Sequence, residues 1–131
     1  MKKECEICSR LNENEMLVLE TTHWKVFVHN DQSYLGRCVA SLKRHAESLS
    51  ALTPEEKMDC FEVVQKMESA AAHAFGAANG NWACLMNHAF QTQPYNPHVH
   101  WHFHPRYAKP IPFEGETFTD SEFGHHYDPK R

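Results

Sequence analysis

His98-Val99-His100-Trp101-His102-Phe103-His104 alternates histidine with an apolar residue over seven positions. Side chains on a β-strand point to opposite faces in turn, so a strand puts all four imidazoles on one side and Val99, Trp101 and Phe103 on the other. A helix would scatter both sets around its axis. The segment therefore demands a sheet with one face buried and the other lined by groups that titrate near neutral pH.

The rest of the chain has to supply that sheet. At 131 residues it is expected to form one domain with its own core. A formal net charge of −4 speaks against a protein built to coat a nucleic acid polymer. No apolar run approaches the length of a membrane span, and the opening Met1-Lys2-Lys3-Glu4-Cys5 lacks the apolar core of a secretion signal. The five cysteines, at 5, 8, 38, 60 and 84, are an odd number, which suits a reducing compartment better than a disulfide framework. The expectation is a cytoplasmic protein. Cys38, Cys60 and Cys84 read as small buried apolar residues.

Periodicity predicts strands over 16–20, 23–29 and 37–42, the first two joined as a hairpin at Thr21-Thr22 with Trp24, Val26 and Val28 on one face. A short helical turn is expected around Glu47 to Leu52. Thr53-Pro54-Glu55-Glu56 then combines an N-cap, a proline at the first helical position and a capping-box glutamate. Met58, Phe61, Val64, Met67, Ala71 and Phe75 follow at steps of three and four as one buried stripe, and Gly76 can close the helix. Strands over 82–87 and 98–104 complete the set, with a polar loop between. From Pro105 onward, Pro105, Pro110 and Pro112 suggest an extended tail over the surface. The class is α+β, with antiparallel pairing favoured by the short connections.

The strand from His98 to Phe103 resembles the histidine-triad signature, His-φ-His-φ-His-φ-φ with φ apolar, and Pro105-Arg106 follow it as in that superfamily. Cys5-x-x-Cys8 resembles its zinc-containing branch. Leu35-Gly36-Arg37 leading to Lys43-Arg44-His45 is similar to its glycine-bearing strand and basic turn, and Asn87 stands eleven residues before His98, where the family often carries an amide. The resemblance covers most of residues 5–107. It implies a five-stranded antiparallel sheet with one long and one short helix, a homodimer, and a nucleotide hydrolase or nucleotidyl transferase. On this basis residues 1–112 are the domain proper and 113–131 an extension packed on it or on a dimer partner. There are two departures. His104 stands where the family has an apolar residue, and Thr92-Gln93-Pro94-Tyr95 replaces the usual Gly-Gln-Ser or Gly-Gln-Thr phosphate contact.

Neutral imidazole attacks phosphorus well, and a covalent phosphoryl-imidazole divides one difficult displacement into two. The resemblance assigns the nucleophile to His100, with the His98 carbonyl holding its other ring nitrogen protonated. His102 then touches the phosphate oxygens or protonates the leaving group. Asn87, Gln93 (or Gln91) and Arg106 are candidate donors to the phosphate, and Asn30 and Asp31 lie where related proteins hold a ribose. Trp24 and Phe27 are read as core, with a base contact as the alternative. His104 either lines the mouth of the site or is solvated at the strand end. His23, His29 and His73 have no role. Strand-borne His-x-His is also metal-ligand geometry, so a metal-binding array is a rival reading.

Cys5 and Cys8 can share one Zn²⁺ but need two further ligands; a redox pair or two bare thiols are the alternatives. In the resembled zinc branch the remaining ligands correspond to His45 and His98, which makes His98 both a triad member and a metal ligand. The substrate most readily implied is a dinucleoside polyphosphate such as diadenosine tetraphosphate. A nucleoside phosphoramidate and a non-catalytic nucleotide-binding protein remain rivals.

Overall fold

The computed structural model describes residues 5–126; the aromatic Tyr127 of the tail lies outside them. Five strands form one antiparallel sheet: β1 Leu17–Glu20, β2 Trp24–Val28, β3 Cys38–Leu42, β4 Asn79–Ala83 and β5 His100–Arg106, in the spatial order β1-β2-β3-β5-β4. A short helix α1, Glu6–Arg10, precedes the sheet, and the long helix α2, Pro54–Phe75, packs across one face of it. The expected α+β class and five-stranded antiparallel sheet are both present. A single 3₁₀ turn, Leu49–Ala51, occupies the place of the expected helical turn.

Helix α2 begins where local chemistry says it should. The Thr53 hydroxyl accepts from the Glu56 N–H, the Glu56 carboxylate accepts from the Thr53 N–H, Pro54 has no N–H that needs an acceptor, and Gly76 ends the helix in the left-handed conformation with φ 75°. Its buried face differs from the expected stripe. Glu56, Val63, Met67 and Ala71 are buried, while Met58 and Phe61 are 77% and 74% exposed. The difference starts at Glu56, whose carboxylate takes two hydrogen bonds from Arg44 and whose carbonyl accepts from the indole of the fully buried Trp24. Turning Glu56 inward rotates Met58 and Phe61 out.

The core lies between α2 and one face of the sheet. Trp24 and Val26 from β2, Cys38, Ala40 and Leu42 from β3, Val99 and Phe103 pack against Val63, Met67 and Ala71. On β3 and β5 the register sets Val39 opposite His102 and Ser41 opposite His100, so these four share the face away from α2.

Two strands are shifted from their expected positions. β4 covers 79–83 instead of 82–87, because Asn79-Gly80-Asn81 pairs with the far end of β5 despite a composition that favours turns. Gly80 is required there: a Cβ at that position would lie 2.4 Å from Cε1 of Phe103, whose ring is stacked under Trp82. β5 runs from 100 to 106, through Pro105. The missing N–H of Pro105 faces the β3 side, where pairing has already ended at Phe103 opposite Cys38. The tail then forms a small hairpin, β6 Ile111–Phe113 and β7 Glu116–Phe118, where an extended strap was expected. β6 itself spans the expected boundary between residues 112 and 113. No helix among the described residues is long and apolar enough to cross a membrane.

Candidate active site

The face opposite α2 carries His100 and His102 at the centre of the sheet. The Nδ1 of His100 lies 2.8 Å from the His98 carbonyl oxygen. A carbonyl only accepts, so Nδ1 carries the proton and Nε2 is left with its lone pair. The His102 ring sits edge-on to His100, with centroids 5.2 Å apart. Burial, then the charges that His100, Arg37 and His29 would carry, push the His102 imidazole down to about 4. His102 is therefore uncharged at neutral pH.

Two cavities of about 450 and 420 Å³ flank this pair, sharing Ile7, Arg10, His29, His100 and His102 on their walls. The first extends over Leu85, Met86, Asn96 and Pro97; the second runs over Phe27, Asn30, Val39 and Ser41.

His29, given no role from the sequence, belongs to this site. Its Nδ1 accepts the Asp31 N–H at 2.9 Å, so in the neutral ring Nε2 is the donor, and its ring centroid lies 6.4 Å from that of His102. It directly follows β2 with no histidine alternating with it, so no pattern in the sequence marks it. Asn96 is likewise new, brought to the first cavity by the irregular loop before β5.

The other expected residues are distributed unevenly. Asn30 lines the second cavity, as does Phe27, whereas Trp24 is wholly buried in the core. Asn87 and Gln93 are exposed and line neither cavity; Gln93 donates to the Tyr95 hydroxyl instead. Arg106 is 2% exposed, and its guanidinium is held by Asp120 at 2.6 and 3.0 Å and by the carbonyls of Glu122 and His125. It is committed to the tail and not to the histidine face. His104 is neither at the mouth nor solvated: it is 1% exposed, edge-on to Tyr34 with centroids 5.7 Å apart. The strand runs two residues past it, which takes it under the loop that carries Tyr34.

Beside the cavities, Cys5, Cys8, His45 and His98 converge, with one ligand atom from each within 4.8 Å of all the others. Cys5 caps α1 and accepts the Cys8 N–H at 3.3 Å, so a short helix carries the pair. Nδ1 of His98 lies 3.4 Å from Cys5 Sγ, 3.5 Å from Cys8 Sγ and 3.1 Å from Nδ1 of His45, which is 3.4 Å from Cys8 Sγ. Tetrahedral bonds of about 2.0–2.3 Å put neighbouring ligand atoms roughly 3.3–3.8 Å apart. The donor set fits a metal ion. The backing fits too: Nε2 of His98 lies 2.6 Å from the Leu42 carbonyl, so it carries the proton and turns a bare Nδ1 toward the cluster, and Glu47 approaches Nε2 of His45 at 3.9 Å. With both ring nitrogens engaged, His98 contributes its backbone carbonyl to His100 and its side chain to the cluster.

A family model described as "HIT domain" matches residues 10–109. The chain belongs to the HIT domain family. Solved structures share its fold. A HIT family protein from Bacillus anthracis is 25% identical with a TM-score of 0.67, the match covering 83% of this chain and 77% of that one. A Zn-bound histidine triad family protein from Mycobacterium smegmatis is 22% identical, TM-score 0.63, over 95% and 83% of the two chains. Plasmodium falciparum diadenosine triphosphate hydrolase is 20% identical, TM-score 0.60, over 75% and 65%. No curated protein matches the sequence at a significant level. The HIT family is one of nucleotide hydrolases and nucleotidyl transferases, and the histidine strand that marks it lines the shared wall of the two cavities.

Proposed function

We propose that this HIT protein hydrolyses a dinucleoside polyphosphate, such as diadenosine tetraphosphate, at the α-phosphorus through a nucleotidyl-histidine intermediate. The observation that carries this reading is the His100–His98 carbonyl bond, which leaves the Nε2 lone pair available on a residue that lines both cavities. In the first step that lone pair forms the N–P bond while the bond from phosphorus to the bridging oxygen breaks, and the leaving nucleotide departs with the electron pair. In the second, water attacks the same phosphorus, the P–N bond breaks, and nucleoside monophosphate is released with its proton passed to solvent. His102 and the Nε2–H of His29 would donate to the phosphoryl oxygens, where fixed donors supply most of the catalysis.

An uncharged His102 favours this substrate over a phosphoramidate. A phosphate leaving group departs as a stable anion, whereas an amine must first be protonated, and a histidine held near 4 is a poor proton reservoir at neutral pH. Paired cavities, one on each side of the reacting histidine, suit a substrate with a nucleoside at both ends.

Cys5, Cys8, His45 and His98 would hold a structural Zn²⁺, which at this site supplies a crosslink between the N-terminal helix and the strand that bears His100. Five free cysteines support a cytoplasmic setting. A homodimer, which the resemblance implies, would give the exposed Met58 and Phe61 a surface to cover.

The test is a brief exposure to labelled diadenosine tetraphosphate and to an adenosine phosphoramidate, quenched in alkali and read by peptide mass spectrometry. A nucleotidyl adduct on His100, absent in His100→Ala and formed faster from the polyphosphate, is expected. Absence of adduct and turnover in folded, zinc-loaded protein would overturn the assignment.

A further inference from the structure

Of the described residues that line the two cavities, Arg10 is the one arginine or lysine, and it lines both. Its guanidinium is exposed and makes no hydrogen bond or ion pair among the described residues. Two other arginines are occupied: Arg37 pairs with Asp31, and Arg106 with Asp120. The backbone of Arg10, by contrast, is fixed on both sides. Two residues earlier Cys8 joins the metal-ligand cluster, and one residue later the Leu11 carbonyl accepts the Lys25 ammonium of β2 at 2.8 Å. An idle cation on an anchored backbone thus shares the walls of both cavities with His29, His100 and His102. Its charge is felt there, since it helps hold the His29 imidazole below its ordinary value after burial and Arg37.

The histidines alone can satisfy one phosphoryl group. Any further phosphate must extend beyond them into one cavity, where the ionisable side chains among the described residues, other than Arg10, are histidines, the cysteine at the metal cluster and the acids Glu6, Glu13 and Glu15. A second phosphate there needs a cation, and a guanidinium fork matches phosphate oxygens in geometry as well as charge. We propose that Arg10 determines the protein's preference for nucleotides that carry phosphates beyond the reacting one. This rests on the nucleotide reading above and adds to it the residue that counts phosphates.

The experiment compares adenosine monophosphate with the α,β-methylene analogue of adenosine diphosphate, whose carbon bridge blocks cleavage. Binding to the full, metal-loaded chain is followed by calorimetry. Wild type is expected to hold the diphosphate analogue about tenfold more tightly, the value of one partly solvated charge-assisted contact. Arg10→Gln should bring the ratio to about one, the diphosphate analogue losing far more affinity than the monophosphate, and Arg10→Lys should keep part of the preference. A ratio unaltered in Arg10→Gln, or an equal loss for both ligands, would overturn the proposal. Wild type that binds both ligands equally would overturn it and leave the nucleotide reading standing. Wild type that binds neither would remove both.

Discussion

Asp120→Ala is a substitution whose consequence the structure allows to be worked out. Arg106 is 2% exposed and Asp120 9% exposed, and their side chains form two hydrogen bonds, at 2.6 and 3.0 Å. Asp120 also accepts the Tyr107 N–H at 3.2 Å. Burial alone would raise the Asp120 carboxyl, but Arg106 and that N–H outweigh it and hold it below its ordinary value. Removing the carboxylate strands a guanidinium where water cannot reach it, which costs about 3–5 kcal/mol. The carbonyls of Glu122 and His125 continue to accept from Arg106, so the lower end, about 3 kcal/mol, is expected. Against a total of roughly 5–15 kcal/mol that is a large share, equivalent to about 10 °C in Tm for a domain of this size. The assay is urea unfolding followed by tryptophan fluorescence, since Trp82 stacks on Phe103 at 4.5 Å in the same pair of strands. The double variant Arg106→Met, Asp120→Leu removes both charges and should recover most of the loss. A cost under about 1 kcal/mol for Asp120→Ala, or a double variant as unstable as the single one, would refute the reasoning.

Three further outcomes are expected. Gly80→Ala should cost about 1–3 kcal/mol, because the new Cβ meets the Phe103 ring edge at 2.4 Å; Phe103→Leu in the same chain should relieve part of the loss, and unchanged urea midpoints would contradict the packing. Burial, followed by His100 for His102 and by Arg37 for His104, holds both imidazoles at about 4, so unfolding takes up protons below the ordinary value of 6.5. Their contribution is complete above pH 6.5 and is lost as pH falls toward 4, so a midpoint that stays flat from pH 7 to 4.5 would be inconsistent with both shifts. Elemental analysis should find about one zinc per chain, lost in Cys8→Ser together with several degrees of Tm; a metal-free wild type with the same Tm as Cys8→Ser would remove the structural role.

Local periodicity carried much of the fold. Alternation from His98 to His104 requires a strand whatever surrounds it, and the Thr53–Glu56 capping box sets a helix start from four adjacent residues. Cys5-x-x-Cys8 marks a candidate ligand pair in the same local way. What could not be read from the sequence depends on contacts between distant segments. Asn79-Gly80-Asn81 becomes a strand only because β5 offers an edge and Phe103 needs the space above Gly80. Met58 and Phe61 face outward because Glu56 turns inward to Arg44, a contact across twelve residues. Arg106 follows the triad like a phosphate ligand, yet Asp120, fourteen residues on, claims it. His29 is a lone histidine in sequence, and it becomes part of the site only where β2 lies beside β3 and β3 beside β5. A repeat of two or 3.6 residues records which way a side chain points relative to its own backbone. Which group it meets there is decided by the packing of segments that the sequence holds far apart.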